Sequence, residues 1–398
     1  MQQDSAGSSP QPTSKPDQGP SEPIDLNPFD WAIRNQVRLA EDLATGREVW
    51  QSRPLTLEFS TNNICNLRCK MCAQHDGLPV IKADEEFSRR VLDEILPGAA
   101  ILSPMALSEP LAGDIDLYME KCQEHGAFLN LITNGTLFKE EKLRRVMPMT
   151  HRLFVSFECF DKEIFEDLRV NAKYERVLEN VKLAQGIAAE HGVPMALVTI
   201  FMRPIHERLP EYFREAAALG IKDIVILELL DTFPRYQDYE IRDSISEERL
   251  IELRDEAIEA AKEYGLNVDF NMNPPLNAIS SNASNEPRIT PAELTMRIKN
   301  EVQHQHGHFC HHAATYVKVD PEGQVFPCCR APEELVMGNM HEQSFGEIWN
   351  GEKYRELRRR MHSGDLPNPC KGCAVLEGTP FYRKPGDPSP GELDALGG

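Results

Sequence analysis

The 398-residue sequence contains no apolar run long enough to cross a bilayer, which takes about 20 such residues. Its opening stretch, Met1 to Asp30, is rich in Ser, Pro and Gln and lacks the basic and apolar pattern of an export signal, so the chain reads as cytoplasmic. A basic surplus is missing too: 43 Lys and Arg stand against 63 Asp and Glu, a formal net charge of −20. With no cationic excess to displace phosphate counterions, neither nucleic acid nor a membrane surface is an expected partner. Disulfides do not suit a cytoplasmic chain, so its ten cysteines point to metal ligation instead. What is present is an ordinary globular composition, 41% hydrophobic, long enough for one large domain and a smaller one.

Pattern divides the chain. Residues 1–28 are Pro-, Ser- and Gln-rich and read as a disordered tail, followed by a helix in 29–51 with Ile33, Val37, Ala40 and Leu43 at helical spacing. Strand-like runs then recur at Leu55–Ser60, Ala100–Leu107, Phe128–Thr133, Leu153–Cys159, Ala196–Met202 and Ile224–Leu230. Helix-period segments separate them, near 84–96, 113–125, 139–147, 175–191 and 207–219, and another at 246–264 follows. Such alternation predicts parallel βαβ units, in an open doubly wound sheet or part of a barrel. Residues 273–300, rich in Asn, Pro and Ser, read as a linker, and 378–398 as a second disordered tail. Between them a hairpin turning at Asp320–Gly323 and a helix from Phe345 to His362 are expected.

The first strand leads into Cys65-Asn-Leu-Arg-Cys69-Lys-Met-Cys72. Three thiolates in eight residues are too crowded for disulfides and differ from the paired CxxC of zinc sites. They suit three corners of a four-iron cluster, leaving one iron open. A zinc knuckle, or a ferredoxin-like cluster with a distant fourth ligand, is the alternative. Farther on, Cys310, Cys328, Cys370 and Cys373 follow C-x17-C-x41-C-x2-C, with Cys329 beside Cys328. Four ligands can close a second cluster, suited to electron transfer. His304, His306, His308, His311 and His312 keep a zinc ribbon open as the other reading.

The C-x3-C-x2-C spacing resembles the signature of the radical S-adenosylmethionine (SAM) superfamily. The segments Gly323-Gln-Val-Phe-Pro-Cys-Cys329, Met337-Gly-Asn339 and Ser344-Phe-Gly-Glu-Ile-Trp-Asn350 resemble its SPASM/Twitch group, close to the aminocyclitol dehydrogenase type with one auxiliary cluster. The resemblance implies a partial (βα)6 TIM-like barrel over 52–272, with its site at the C-terminal strand ends, and a small SPASM/Twitch-type iron–sulfur domain over 301–377. It implies a [4Fe-4S] cluster on Cys65, Cys69 and Cys72 that binds SAM, and an auxiliary [4Fe-4S] cluster on Cys310, Cys328, Cys370 and Cys373. A flavodoxin or ferredoxin is the implied electron donor.

Further residues gain meaning from that resemblance. Met71 lies inside the cysteine loop. Ser108-Glu109-Pro110 resembles an element whose polar groups bind the SAM ammonium, with Leu107 and Ser108 where the family has glycines. Asn134, in Ile132-Thr-Asn-Gly-Thr136, and Ser156, on the fourth strand, match positions near SAM, and Arg203 is a candidate partner for its carboxylate. Alternation puts Glu158 on the Ser156 face, where a carboxylate can bind substrate or take a proton. Cys159 is either a hydrogen-atom donor, as in some epimerases of the family, or a buried core thiol; Cys122 reads as core. The expected activity is hydrogen abstraction from a small polar metabolite (carbohydrate, aminocyclitol or natural-product intermediate), giving oxidation or epimerisation. Peptide crosslinking or sulfatase-type maturation is the alternative.

Overall fold

The computed structural model describes residues 28–105, 107–229, 236–241, 245–269, 310–329 and 331–371. The expected tails (apart from Pro28, which begins the first helix), the linker, Cys373 and the histidines at 304, 306 and 308 lie outside the described residues. Seven parallel strands follow one another in chain order: β1 (Thr56–Phe59), β2 (Ile101–Ser103), β3 (Phe128–Thr133), β4 (Thr150–Ser156), β5 (Met195–Phe201), β6 (Asp223–Glu228) and β7 (Asn267–Asp269). Between them run α2 (Glu85–Ile95), α3 (Ile115–His125), α4 (Glu140–Val146), α5 (Lys162–Leu168), α6 (Tyr174–His191), α7 (Leu209–Ala218), α8 (Tyr236–Tyr239) and α9 (Glu247–Tyr264), with α1 (Pro28–Thr45) ahead. This is the α/β architecture with a parallel core that the alternation predicts.

Strand order equal to chain order, combined with right-handed crossovers, puts the connecting helices on one face of the sheet. The side chains confirm it. Leu57, Phe59, Leu129, Leu131, Leu153, Val155, Leu197, Ile224 and Ile226 belong to the large core shared with the helices. Their neighbours in alternation, Phe154, Ala196, Val198 and Val225 with Ile132 and Leu227, form a separate small cluster on the opposite, inner face. Thr56, Glu58 and Ser60 take the inner face of β1 by the same alternation.

The sequence did not reveal where the C-terminal strands go. After α10 (His311–Thr315), β8 (Tyr316–Val319) pairs in parallel with β1, Thr56 opposite Tyr316 and Glu58 opposite Lys318. β9 (Gln324–Phe326) and β10 (Gly338–Asn339) continue the sheet antiparallel, giving ten strands in the order β10-β9-β8-β1-β2-β3-β4-β5-β6-β7. The turn falls at Asp320–Gly323 as expected, with Gly323 N donating to Asp320 O at 3.0 Å. The expected helix from Phe345 to His362 is two helices, α11 (Phe345–Trp349) and α12 (Glu352–Ser363). A capping box, Ser344 with Glu347, starts α11. Gly351 breaks the run: a Cβ there would lie 2.8 Å from the Glu347 carbonyl oxygen. The fourth strand stops at Ser156 rather than Cys159, because α5, unforeseen in the sequence, starts at Lys162. The first helix ends at Thr45, not at 51. No helix among the described residues is long and apolar enough to cross a membrane.

The segment before β1 is locked to the C-terminal helices. Arg358, buried on α12, lies 4.2 Å from the Trp50 ring centroid, 4.7 Å from Trp349 and 5.4 Å from Tyr354. It donates to the Glu48 carbonyl at 2.8 Å, the Asn350 Oδ1 at 3.0 Å and the Trp349 carbonyl at 2.8 Å. Burial lowers its pKa to about 9. Arg358→Ala removes the cation–aromatic contacts and leaves buried acceptors unmet, so a loss of roughly 3 kcal/mol is expected. Thermal unfolding checks this: an unchanged midpoint would show that the clasp carries no stability.

Candidate active site

The loop after β1 is fixed from two sides. Arg68 N donates to Val170 O at 3.1 Å and Lys70 N to Leu168 O at 2.9 Å, joining the cysteine loop to the end of α5. Asn63 bonds the Pro79 carbonyl at 2.8 Å, and Gln74 Nε2 bonds the Asn63 and Leu107 carbonyls at 2.6 and 2.8 Å. Leu107 has φ of +50°, the left-handed region that favours glycine, at a cost of about 1–2 kcal/mol for a side chain. That conformation accounts for glycine being usual at such a position.

The sulfurs of this loop have amide donors. Leu67 N lies 3.4 Å and Asn134 Nδ2 3.8 Å from Cys65 Sγ, and Gln74 N lies 3.5 Å from Cys72 Sγ. Such bonds favour thiolates and tune a bound metal. Burial raises the pKa of Cys65 and pushes Cys69 up to about 12, so metal must displace protons when it binds. Among the described residues the one triad of ligand atoms mutually within 4.8 Å is Asp93, Glu124 and His125 on the surface. Three thiols on one loop, two of them with amide donors, are the donor set of a thiolate-held iron–sulfur cluster.

Glu109 organises the neighbouring strand ends. Its buried carboxylate accepts from Thr133 Oγ1 at 2.6 Å, Asn134 N at 2.7 Å and Leu111 N at 3.2 Å. Burial still raises its pKa. Three donors leave it about one acceptor position of the roughly four a carboxylate offers. Asn134 continues the network, donating to Asn66 Oδ1 at 3.0 Å and accepting from Thr136 N and Oγ1 at 2.9 and 2.6 Å.

Glu158, just past β4, is buried against Arg169. Arg169 Nη2 donates to one oxygen at 2.6 Å, and its Nε is hydrogen-bonded to the other. Burial opposes the charge on Arg169, but Glu158 and the thiols of Cys69 and Cys65 outweigh it and raise its pKa. A buried guanidinium thus stands beside the three-thiol loop. Sequence reading missed it, because α5 was not foreseen. Arg203, the expected cation, is exposed and donates through Nε and Nη2 to the Glu240 carbonyl at 3.2 and 2.9 Å. Met71 is packed in the core and Ser156 is half-buried at the end of β4.

Cys159 is a buried thiol donating to the Asp161 carbonyl at 3.5 Å, its pKa pushed up to about 12 by burial. Tyr212 and Tyr174 both feel its charge, which sets it in the packing against α6 and α7. That is the core-thiol alternative. Cys122 is likewise buried, on α3. In the C-terminal region Cys310 is the N-cap of α10, Cys328 follows β9, and Cys370 ends a 3₁₀ turn; Cys329 is exposed. Cys310, Cys328 and Cys370 could hold metal.

Comparison with known proteins agrees with this geometry. The model of the radical SAM superfamily matches residues 59–200, and that of the SPASM iron–sulfur cluster-binding domain matches residues 310–374. The chain is 22% identical over 357 residues to the tungsten-containing aldehyde ferredoxin oxidoreductase cofactor-modifying protein of Pyrococcus furiosus, covering 83% of this chain and 89% of the relative. Streptococcus suis SuiB, solved with S-adenosylmethionine, superposes with a TM-score of 0.58 at 15% identity, over 88% of this chain and 78% of SuiB. The protein anSMEcpe with bound AdoMet gives 0.57 at 17% identity, over 83% of this chain and 90% of the other. Likeness at that level is likeness of fold.

The Arg169–Glu158 pair makes a separable test of the site's electrostatics. Arg169→Ala strands a buried carboxylate and is expected to cost about 3–5 kcal/mol. The double change Arg169→Ala with Glu158→Ala is expected to cost less than the single one. Denaturant unfolding of the three proteins checks the order, and simple additivity would mean that the two groups do not interact.

Proposed function

Because the chain belongs to the radical SAM superfamily and carries a SPASM iron–sulfur domain, we propose that it abstracts a hydrogen atom from a small polar metabolite and oxidises or epimerises it. SAM and [4Fe-4S] clusters are the cofactors of this domain pair. Together they supply a 5′-deoxyadenosyl radical. Cys65, Cys69 and Cys72 hold the SAM-binding cluster in this reading, and one iron is left uncapped by protein. Arg169 supplies the buried positive charge next to it, and the Glu109–Asn134 network keeps the strand ends in place. Cys310, Cys328 and Cys370, with Cys373, hold the auxiliary cluster, and a small carrier such as a flavodoxin or ferredoxin delivers electrons.

The observation that carries the reading is the three-thiol loop at the C-terminal edge of a parallel sheet, where folds of this class place their chemistry. The inner face supports a polar substrate, with Glu58, Ser156 and Lys318 among its side chains. Core burial of Cys159 favours oxidation over epimerisation, because a thiol donor must reach the substrate. Peptide modification is the second reading. SuiB has been solved with its precursor peptide SuiA and anSMEcpe with the Cp18Cys peptide, on the same fold.

Anaerobically reconstituted protein is expected to carry about eight irons per chain and to form 5′-deoxyadenosine from SAM with dithionite. Replacing Cys65, Cys69 and Cys72 with Ala is expected to abolish that product, measured by chromatography. Replacing Cys370 and Cys373 with Ala is expected to leave SAM cleavage measurable while blocking turnover. A wild-type protein that binds stoichiometric zinc and never yields deoxyadenosine overturns the reading.

A further inference from the structure

Three buried carboxylates lie on or near the inner side of the sheet close to the strand ends, and two are already engaged. Glu109 accepts three internal donors, and Glu158 is held by both arms of a guanidinium. The third, Glu58, differs. It is the last but one residue of β1, and its carboxylate is hydrogen-bonded to the hydroxyl of Tyr316 on β8. The strand register places Lys318 beside it on β8 and Ser103 beside it on β2. Lys318 and Tyr316 are the charged or titratable groups that act on it. Its hydrogen-bond partner is a neutral phenol, and among the described residues no cation is within ion-pair distance of it, so it can take up a proton without breaking a salt bridge.

Position sharpens the point. The Cys65–Cys72 loop leaves the C-terminal end of β1. Cys328 follows β9, which runs antiparallel to β8, so it lies toward the end where β1 and β8 begin. Tyr316, at that beginning, feels the charge of both Cys328 and Cys329. On the inner face, the Glu58–Tyr316 pair therefore stands along the strand between the two sets of cysteines.

We propose that Glu58, positioned by Tyr316, accepts the proton that the substrate releases as its radical is oxidised. The inference rests on the radical SAM reading above. The substrate class is a compound with a hydroxyl or amino group on the carbon that loses hydrogen. The C–H bond breaks and its hydrogen atom passes to the deoxyadenosyl carbon. The O–H (or N–H) bond then breaks: its proton goes to the Glu58 carboxylate, and one electron goes to the auxiliary iron–sulfur cluster. A C=O (or C=N) bond forms, with the substrate oxidised by two electrons in all, one equivalent to each acceptor. Burial raises the pKa of Glu58 to about 6, against the pull of Lys318 and the Tyr316 hydrogen bond, so the group is a base at neutral pH and is lost as one below about 6.

Two measurements on the anaerobically reconstituted protein test this. Infrared pH titration is expected to show a carboxyl C=O band with a midpoint near 6, absent in Glu58→Gln and shifted to higher pH in Tyr316→Phe, which loses a hydrogen bond to the ionised form. A band unaffected by Glu58→Gln, or a midpoint unmoved in Tyr316→Phe, overturns the assignment. The second measurement uses the protein-free metabolite extract of the source cells as the probe. Glu58→Gln is expected to form deoxyadenosine once per chain and to accumulate an organic radical by electron paramagnetic resonance, while multiple turnover falls about a hundredfold. Turnover equal to wild type, or loss of deoxyadenosine together with the radical, overturns the proton-acceptor role. If wild type itself forms no deoxyadenosine from SAM, the parent reading falls, and the infrared titration still decides whether Glu58 exchanges its proton.

Discussion

One buried carboxylate ties the candidate site together. Glu109 enters from the end of β2 and takes hydrogen bonds from Thr133 and Asn134 at the end of β3. Asn134 in turn reaches Asn66 and the sulfur of Cys65. Three consecutive strand ends are thus joined by a few short polar contacts in a water-poor place, where a hydrogen bond to a charged group contributes about 1.5–3 kcal/mol. The loop that carries the thiols has no regular secondary structure apart from a 3₁₀ turn at its end. Its geometry is therefore imposed by such neighbours: Glu109 and Asn134 on one side, the end of α5 on the other.

Charge is the second constraint. Three thiols on one loop become three negative charges when metal displaces their protons, and Glu109 and Glu158 add more. Arg169 is the cation set among them, and its burial is tolerable because Glu158 holds it in a two-pronged pair. The pairing also fixes the orientation of Glu158, two residues past the end of the strand carrying Ser156. Positive charge near the thiols and polar groups at the strand ends therefore come from one arrangement.

Much of this was legible in the sequence. The alternation of strand and helix patterns located the parallel units, and Phe128–Thr133 matches its strand end to end, because periodicity reports which side of an element is buried. The cysteine loop was legible from spacing alone, since three thiolates in eight residues suit few structures. What was not legible depends on contacts distant in sequence. Arg169 looks like any basic residue near the end of a short helix until Val170 and Leu168 are seen bonded to the cysteine loop. Arg203 drew notice by standing after a strand, and its guanidinium donates to the Glu240 carbonyl. The break between α11 and α12 turns on a steric approach at Gly351 that a helical pattern of apolar residues cannot report.

The pairing of β8 with β1 is the feature no local pattern could supply, and the two cysteine sets depend on it for their relation. Four residues of β1 align with four of β8, and Leu55 N donates to the Thr315 carbonyl just ahead of them at 2.8 Å. The segments that carry Cys310 and Cys328 are therefore joined through β8 to the strand that leads into the first cysteine loop. A slip of one residue in that register would turn Tyr316 away from the inner face and separate it from Glu58. Because Val317 and Val319 are buried in the main core while Tyr316 and Lys318 take the inner face, the hydrophobic pattern itself forbids the slip. The same alternation that folds the sheet thus holds the Glu58–Tyr316 pair on the inner face, between the first cysteine loop and Cys328.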